Sequence, residues 1–118
     1  MSFSYSALVD ARIIQSYVKD EVISCAGLGV NRILTNLTTN KRIVVIQYLL
    51  DCATPGNTVT WQDSDGVVKS GAMPFSATGG LVANESDVGQ FMLEPGKHLD
   101  LNLSAAAQVS GHFVYALI

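Results

Sequence analysis

The chain reads as an all-β domain, a single antiparallel sandwich or barrel. Three observations carry that expectation. Apolar and polar residues alternate in several short runs, and a period of two puts the two kinds on opposite faces of a strand. Turn signals built from Gly, Pro, Asn and Asp recur at spacings of about 8–12 residues. The only helix-like spacing, Val30, Ile33, Leu34 and Leu37, is interleaved with Thr35, Asn36 and Thr38, which favour turns or strands.

Residues 1–11 pair Phe3, Tyr5 and Ala7 against Ser2, Ser4 and Ser6. They read as an N-terminal arm or an edge strand. As an arm, Phe3, Tyr5 and Leu8 are the side chains it would bury against a partner. The sandwich domain is expected over residues 12–118. Arg12 to Val18 reads as a strand, Lys19-Asp20-Glu21 as a polar break, and Val22 to Ala26 as a second strand. Gly27-Leu28-Gly29 supplies a bend; with no third glycine and no lysine after it, it is not a phosphate loop. Val30 to Leu37 is a strand closed by the turn Thr38-Thr39-Asn40-Lys41.

Arg42 to Cys52 is the strongest core signal. Its β-branched residues favour a strand, and apolar residues on both faces place it centrally or against another subunit. Thr54-Pro55-Gly56-Asn57 is a turn. Thr58 to Gln62 alternates, with Val59 and Trp61 on one face. Asp63-Ser64-Asp65-Gly66 then joins it to Val67-Val68-Lys69 as a hairpin. The acidic turn lacks the glutamate that a calcium loop of this kind needs at its twelfth position.

Ser70 to Phe75 is a strand ending near Pro74. Ser76 to Asp87 is the longest irregular stretch, offering Leu81, Val82, Glu85 and Asp87 for contact. Val88 to Leu93 is a strand, and Pro95-Gly96 turns the chain. Leu99, Leu101 and Leu103 then alternate with His98, Asp100, Asn102 and Ser104. After the small-residue connection Ser104 to Gln108, Val109, Gly111, Phe113, Tyr115 and Leu117 alternate with Ser110, His112, Val114 and Ala116. This last strand becomes apolar on both faces, so its end should be paired deep in a sheet or against a neighbouring chain.

Of the 118 residues, 48% are hydrophobic and 14% charged, against about 25% charged in an ordinary soluble domain. A surface this short of charge suits burial between subunits. The net charge of −3 and seven scattered basic residues argue against nucleic acid, which needs clustered Lys and Arg. No signal peptide is evident, and no run reaches the roughly 20 apolar residues of a membrane span.

Cys25 and Cys52 fit no metal spacing and read as reduced strand residues, although a cross-strand disulfide is open to them. His98 and His112 lie on polar sides of strands and would be neighbours if the last two strands paired. Asp100 is then the one adjacent acid, too few ligands for a metal centre. No nucleophile elbow is present, and Asp63 with Asp65, like Glu85 with Asp87, are turn-like pairs. The reading is therefore non-enzymatic, with no catalytic residue, metal or cofactor. Trp61 reads as core, with stacking on a sugar ring as its functional alternative.

The segments Val59-Thr60-Trp61-Gln62, Pro74 to Ala83, Pro95-Gly96 and Leu101 to Ala116 together resemble small single-domain proteins of tailed bacteriophages. That group includes capsid decoration, or cement, proteins, and similar jelly-roll domains occur in phage head fibres and tail spikes. The resemblance spans roughly residues 40–118. It implies a jelly-roll sandwich of about eight strands, often a homotrimer, seated on the major capsid protein shell. Such a protein is made in the host cytoplasm, ends on the virion surface and tightens the capsid. The rival reading is a receptor- or carbohydrate-binding domain of a phage tail, with Trp61, the tyrosines and the 76–87 loop as its site.

Overall fold

The computed structural model describes residues 18–52, 56–75, 80–83 and 89–118. These hold nine strands: β1 Val18–Cys25, β2 Gly29–Leu34, β3 Ile43–Cys52, β4 Thr58–Asp63, β5 Met73–Pro74, β6 Gly80–Ala83, β7 Phe91–Met92, β8 Leu99–Leu103 and β9 Val109–Leu117. No helix occurs among the described residues. One sheet has the order β1-β9-β3-β6, with β7 also pairing β3; the other has the order β2-β8-β4-β5. All pairings are antiparallel. We call them the first and the second sheet.

This order is that of a jelly roll, and the register shows how the chain builds it. Val18 faces Ala116, Arg32 faces Asp100, Val45 faces Phe91 and Val59 faces Met73. Each pair is centred within two residues of Gly66. The chain is thus one long antiparallel ribbon that doubles back at the Asp63–Gly66 turn and wraps over itself into two layers. At that turn the Asp63 carboxylate accepts hydrogen bonds from the backbone N–H groups of Asp65 (2.8 Å) and Val67 (2.9 Å). The expected hairpin is present. Its return leg is looser than expected: Val68 makes a single bridge to Gln62, and regular pairing resumes at β5.

The core lies between the sheets. Leu99, Leu101 and Leu103 of β8 and Val59 and Trp61 of β4 face Ile23, Leu50, Val109, Phe113 and Tyr115 of the first sheet, all buried. Each large side chain so placed contributes about 1.5–3 kcal/mol. Trp61 sits in the middle of the aromatic cluster, with ring centroids 5.4 Å from Tyr48, 5.8 Å from Phe91 and 6.3 Å from Phe113.

β3 changes face part-way. Val45 pairs with Tyr115 and Gln47 with Val114, so Ile46 is an extra residue in the ladder. Before this bulge Ile43 and Val45 point inward; after it Tyr48, Leu50 and Cys52 do. The bulge lets a strand that is apolar on both sides keep the core filled along its whole length. β9 is central, between β1 and β3, and Ile118 exchanges backbone hydrogen bonds with Arg42 (2.9 and 3.0 Å). The paired chain end expected from the apolar last strand is found.

Three expectations are corrected. Lys19-Asp20-Glu21 is no break: it lies within β1, an edge strand whose charged side chains reach water. A short strand, β6, occupies part of the stretch expected to be irregular, because Gly80–Ala83 pairs with β3. Of the strand expected over Val88 to Leu93, the described part is strand only at Phe91–Met92, which pairs with Val45 and Val44 of β3 and is flanked by backbone hydrogen bonds from Gln90 to Val45 and from Leu93 to Ile43; Val88 lies outside the described residues. The arm residues Phe3, Tyr5 and Leu8 lie outside the described residues, as do Glu85 and Asp87.

Candidate functional site

The two outward faces of the sandwich differ in chemistry. On the second sheet, Arg32, Asp100 and Gln62 form one cross-strand row, and Val30, Asn102 and Thr60 the next. Arg32 Nε donates to Asp100 Oδ1 at 2.5 Å, and Asn102 donates to Gln62 at 3.2 Å. The Asp100 side chain is 3% exposed and that of Arg32 46%. The polar groups of these rows are bonded to one another, and exposed Val30 and Val68 lie beside them on the same face.

On the first sheet, Val22 faces His112, His112 faces Leu49 and Leu49 faces Val82. Residues directly opposite one another share a face. The result is one outward row across all four strands: Val22 76% exposed, His112 exposed, Leu49 38% and Val82 65%. Beside it lies a shallow depression of about 250 Å³ lined by Gln47, Tyr48, Leu49, Val82, Ala83 and His112. The sequence expectation had Val82 as a contact residue. It could not place Val22 and Leu49 beside it, because the row joins residues about 30 positions apart through backbone pairing.

One end of the sandwich is a cross-tied group of loops. The Asn36 N–H donates to His98 Nδ1 at 2.8 Å, and the His98 N–H donates to Ser64 Oγ at 3.1 Å. Buried Asn36 also donates to the Lys41 carbonyl and accepts from Thr38 N–H. Lys97 pairs with Asp65 at 2.6 Å and Arg42 with Glu94 at 3.5 Å. The hydrogen bond from Lys97 to Asp65 raises the lysine pKa above 10.5, assisted by the nearby acidic charges. Three loops are thereby fixed relative to one another.

The candidate chemical groups do not converge. His98 precedes β8 in the second sheet and His112 lies in β9 of the first, so the two last strands are not partners and the histidines are not neighbours. Among the described residues no three of His, Cys, Asp and Glu are grouped to hold a metal. Cys25 and Cys52 flank the same residue, Val109, on opposite sides of β9. Two inter-strand spacings of about 4.8 Å separate them, beyond the reach of a disulfide, and no disulfide joins them. Burial raises the Cys25 pKa above 9.0, with the Cys52 charge adding to the rise.

Trp61 is fully buried, so it presents no ring face for a sugar to stack on. Its indole N–H makes no hydrogen bond of good geometry, although it acts on the neighbouring Tyr48 hydroxyl. Burial raises the Tyr48 pKa above 10.0, and the indole offsets part of that rise. Tyr115 is raised likewise, by burial first and then by the Glu21 carboxylate.

Comparison with known protein families, curated proteins and solved structures finds no match.

Proposed function

We propose that the chain is a virion structural protein of a tailed bacteriophage, a decoration or cement protein. In this reading it binds the major capsid protein shell as a homo-oligomer, with three copies the number the resemblance implies, and stabilises the head. It acts by contact, without catalysis or cofactor, on the outside of the capsid after synthesis in the host cytoplasm. The observation that supports this reading is the jelly-roll strand order, the architecture implied by the residue pattern of 40–118. Fold by itself does not fix function, but two further features suit a clamp. The cross-tied loop end offers a surface that loses little freedom on contact. The charge-poor composition leaves apolar sheet surface to be covered by other chains.

Electron microscopy of purified particles carrying labelled copies tests the proposal. A regular lattice over the shell is the expected result. Label confined to the tail tip would instead support the receptor- or carbohydrate-binding reading, and particles without label would refute both.

A further inference from the structure

The cross-tied loop end depends on one titratable atom. His98 Nδ1 accepts the Asn36 backbone N–H at 2.8 Å. An imidazole nitrogen accepts only through its lone pair, so His98 is neutral in this bond and carries its proton on Nε2. Asn36 is buried, and its side chain carries the tie onward. Its Nδ2 donates to the Lys41 carbonyl, which also accepts from the Gly96 N–H, both at 2.9 Å, and its Oδ1 accepts from the Thr38 N–H. On the other side the His98 N–H donates to Ser64 Oγ. Residues 35–42, the Asp63–Gly66 turn and residues 94–98 therefore meet at this imidazole.

We infer that His98 is a proton-operated latch: a proton taken up at Nδ1 releases residues 35–42 from the rest of the loop end and leaves the sandwich folded. A protonated Nδ1 is a donor and would point at another donor, the Asn36 N–H. Turning the ring over does not help, since it sets a C–H where the acceptor was. The buried N–H then has no partner unless its loop moves out to water.

The charged groups on the elements around the ring do not rescue the bond. They are Lys41 and Arg42 of the 35–42 segment, Asp63 and Asp65 of the turn, Glu94 and Lys97 beside His98, and Asp100 and Arg32 on the adjoining strands. Asp65 is paired with Lys97, Glu94 with Arg42 and Asp100 with Arg32. The Asp63 carboxylate accepts two backbone N–H groups of its own turn. Each acid already holds a donor, and four bases balance four acids, so an imidazolium adds an uncompensated charge. The latch is closed in the neutral form and opens as pH falls through the histidine range.

Loosening of this end in acid would weaken the contact of the proposed clamp, and in that respect the inference rests on the proposed function. The latch itself is read on the isolated protein and capsid binding on particles, so either can fail alone. The experiment is amide hydrogen exchange by NMR at about pH 7.5 and about pH 5, corrected for the intrinsic pH dependence of exchange. Protection at Asn36, Thr38 and Gly96 should fall ~10-fold or more in acid, while the amides of β3, β8 and β9 keep theirs. His98→Asn supplies an acceptor that does not titrate, so its protection should be the same at both pH values. His98→Ala should be unprotected there at both, and His112→Asn, at an exposed histidine of the first sheet, should behave as wild type. Nitrogen NMR of the wild-type imidazole at neutral pH should show Nδ1 without a proton, a result that needs no variant to fold. Unchanged wild-type protection in acid, an equal loss throughout the strands, or a proton on Nδ1 at neutral pH would overturn the inference. So would an acid loss that persists in His98→Asn or disappears in His112→Asn.

Discussion

Gly111 is the position where the ribbon tolerates no side chain. It lies in the middle of β9, paired with Ile23 on one side and Leu50 on the other. Its φ is +155°, within the region that glycine alone occupies comfortably. A Cβ built there would stand 1.8 Å from the Leu49 carbonyl oxygen, where real Cβ contacts do not fall below 3.0 Å. The carbonyl belongs to the backbone of a central strand, so relief requires β3 and β9 to move apart by more than an ångström. Overpacking of this kind costs ~1–3 kcal/mol, and the strained backbone a further ~1–3 kcal/mol. Gly111→Ala should therefore lose about 2–6 kcal/mol of a total stability that is typically about 5–15 kcal/mol. The single tryptophan, Trp61, is buried and its fluorescence reports unfolding in urea. With a urea dependence of about 1–3 kcal/mol per molar, the midpoint should fall by one molar or more. Gly71→Ala is the control: it has no positive φ and nothing within 4 Å of the added carbon, so it should shift stability by no more than about 1 kcal/mol. Equal midpoints for the two variants would refute the close-approach argument.

Four other outcomes follow from the packing. Arg32→Ala should cost more than Asp100→Ala, by about 1–2 kcal/mol in denaturant titration, because removing the half-exposed arginine leaves a buried carboxylate unpaired. Asn57→Ala should cost about 2–3 kcal/mol: Asn57 is 1% exposed, and its side-chain oxygen accepts from Ser104 Oγ and the Ala105 N–H. Trp61→Ala should lower stability by about 3–5 kcal/mol, as for other buried aromatics, and any loss of glycan binding in that variant should track unfolding. Stability should also fall at alkaline pH. The Cys25 and Tyr48 pKa values are raised in the folded chain, so the unfolded chain loses those protons first, from about pH 9 and pH 10. It then binds fewer protons than the folded chain, and stability declines as pH rises through that window. Under reducing conditions Cys25→Ala should remove the part that begins near pH 9 and Tyr48→Phe a share of the decline above pH 10, the raised Tyr115 and Lys97 keeping the rest; a wild-type curve flat from pH 8 to 11 would contradict the assignment.

Alternation alone placed Leu99, Leu101, Leu103, Val59, Trp61, Val109 and Phe113 on core faces, and the structure buries all of them. The Asp63–Gly66 turn, the Pro95-Gly96 turn and the central position of Arg42 to Cys52 were equally legible. These are local properties: strand period, turn chemistry and β-branched content act within a few residues. The amino-acid order therefore determined the all-β class and most strand positions by itself.

Only the tertiary structure decided the rest. Lys19-Asp20-Glu21 looks like an interruption until β9 pairs beside it and holds the charges on an edge. The two histidines look adjacent until β8 and β9 are assigned to different sheets, and the two cysteines look bridgeable until Val109 comes between them. The outward row from Val22 to Val82 exists only because backbone pairing brings four distant segments into register. Partner choice between strands depends on closing long loops and on which faces fill one core, and neither quantity is written in any short stretch of the chain.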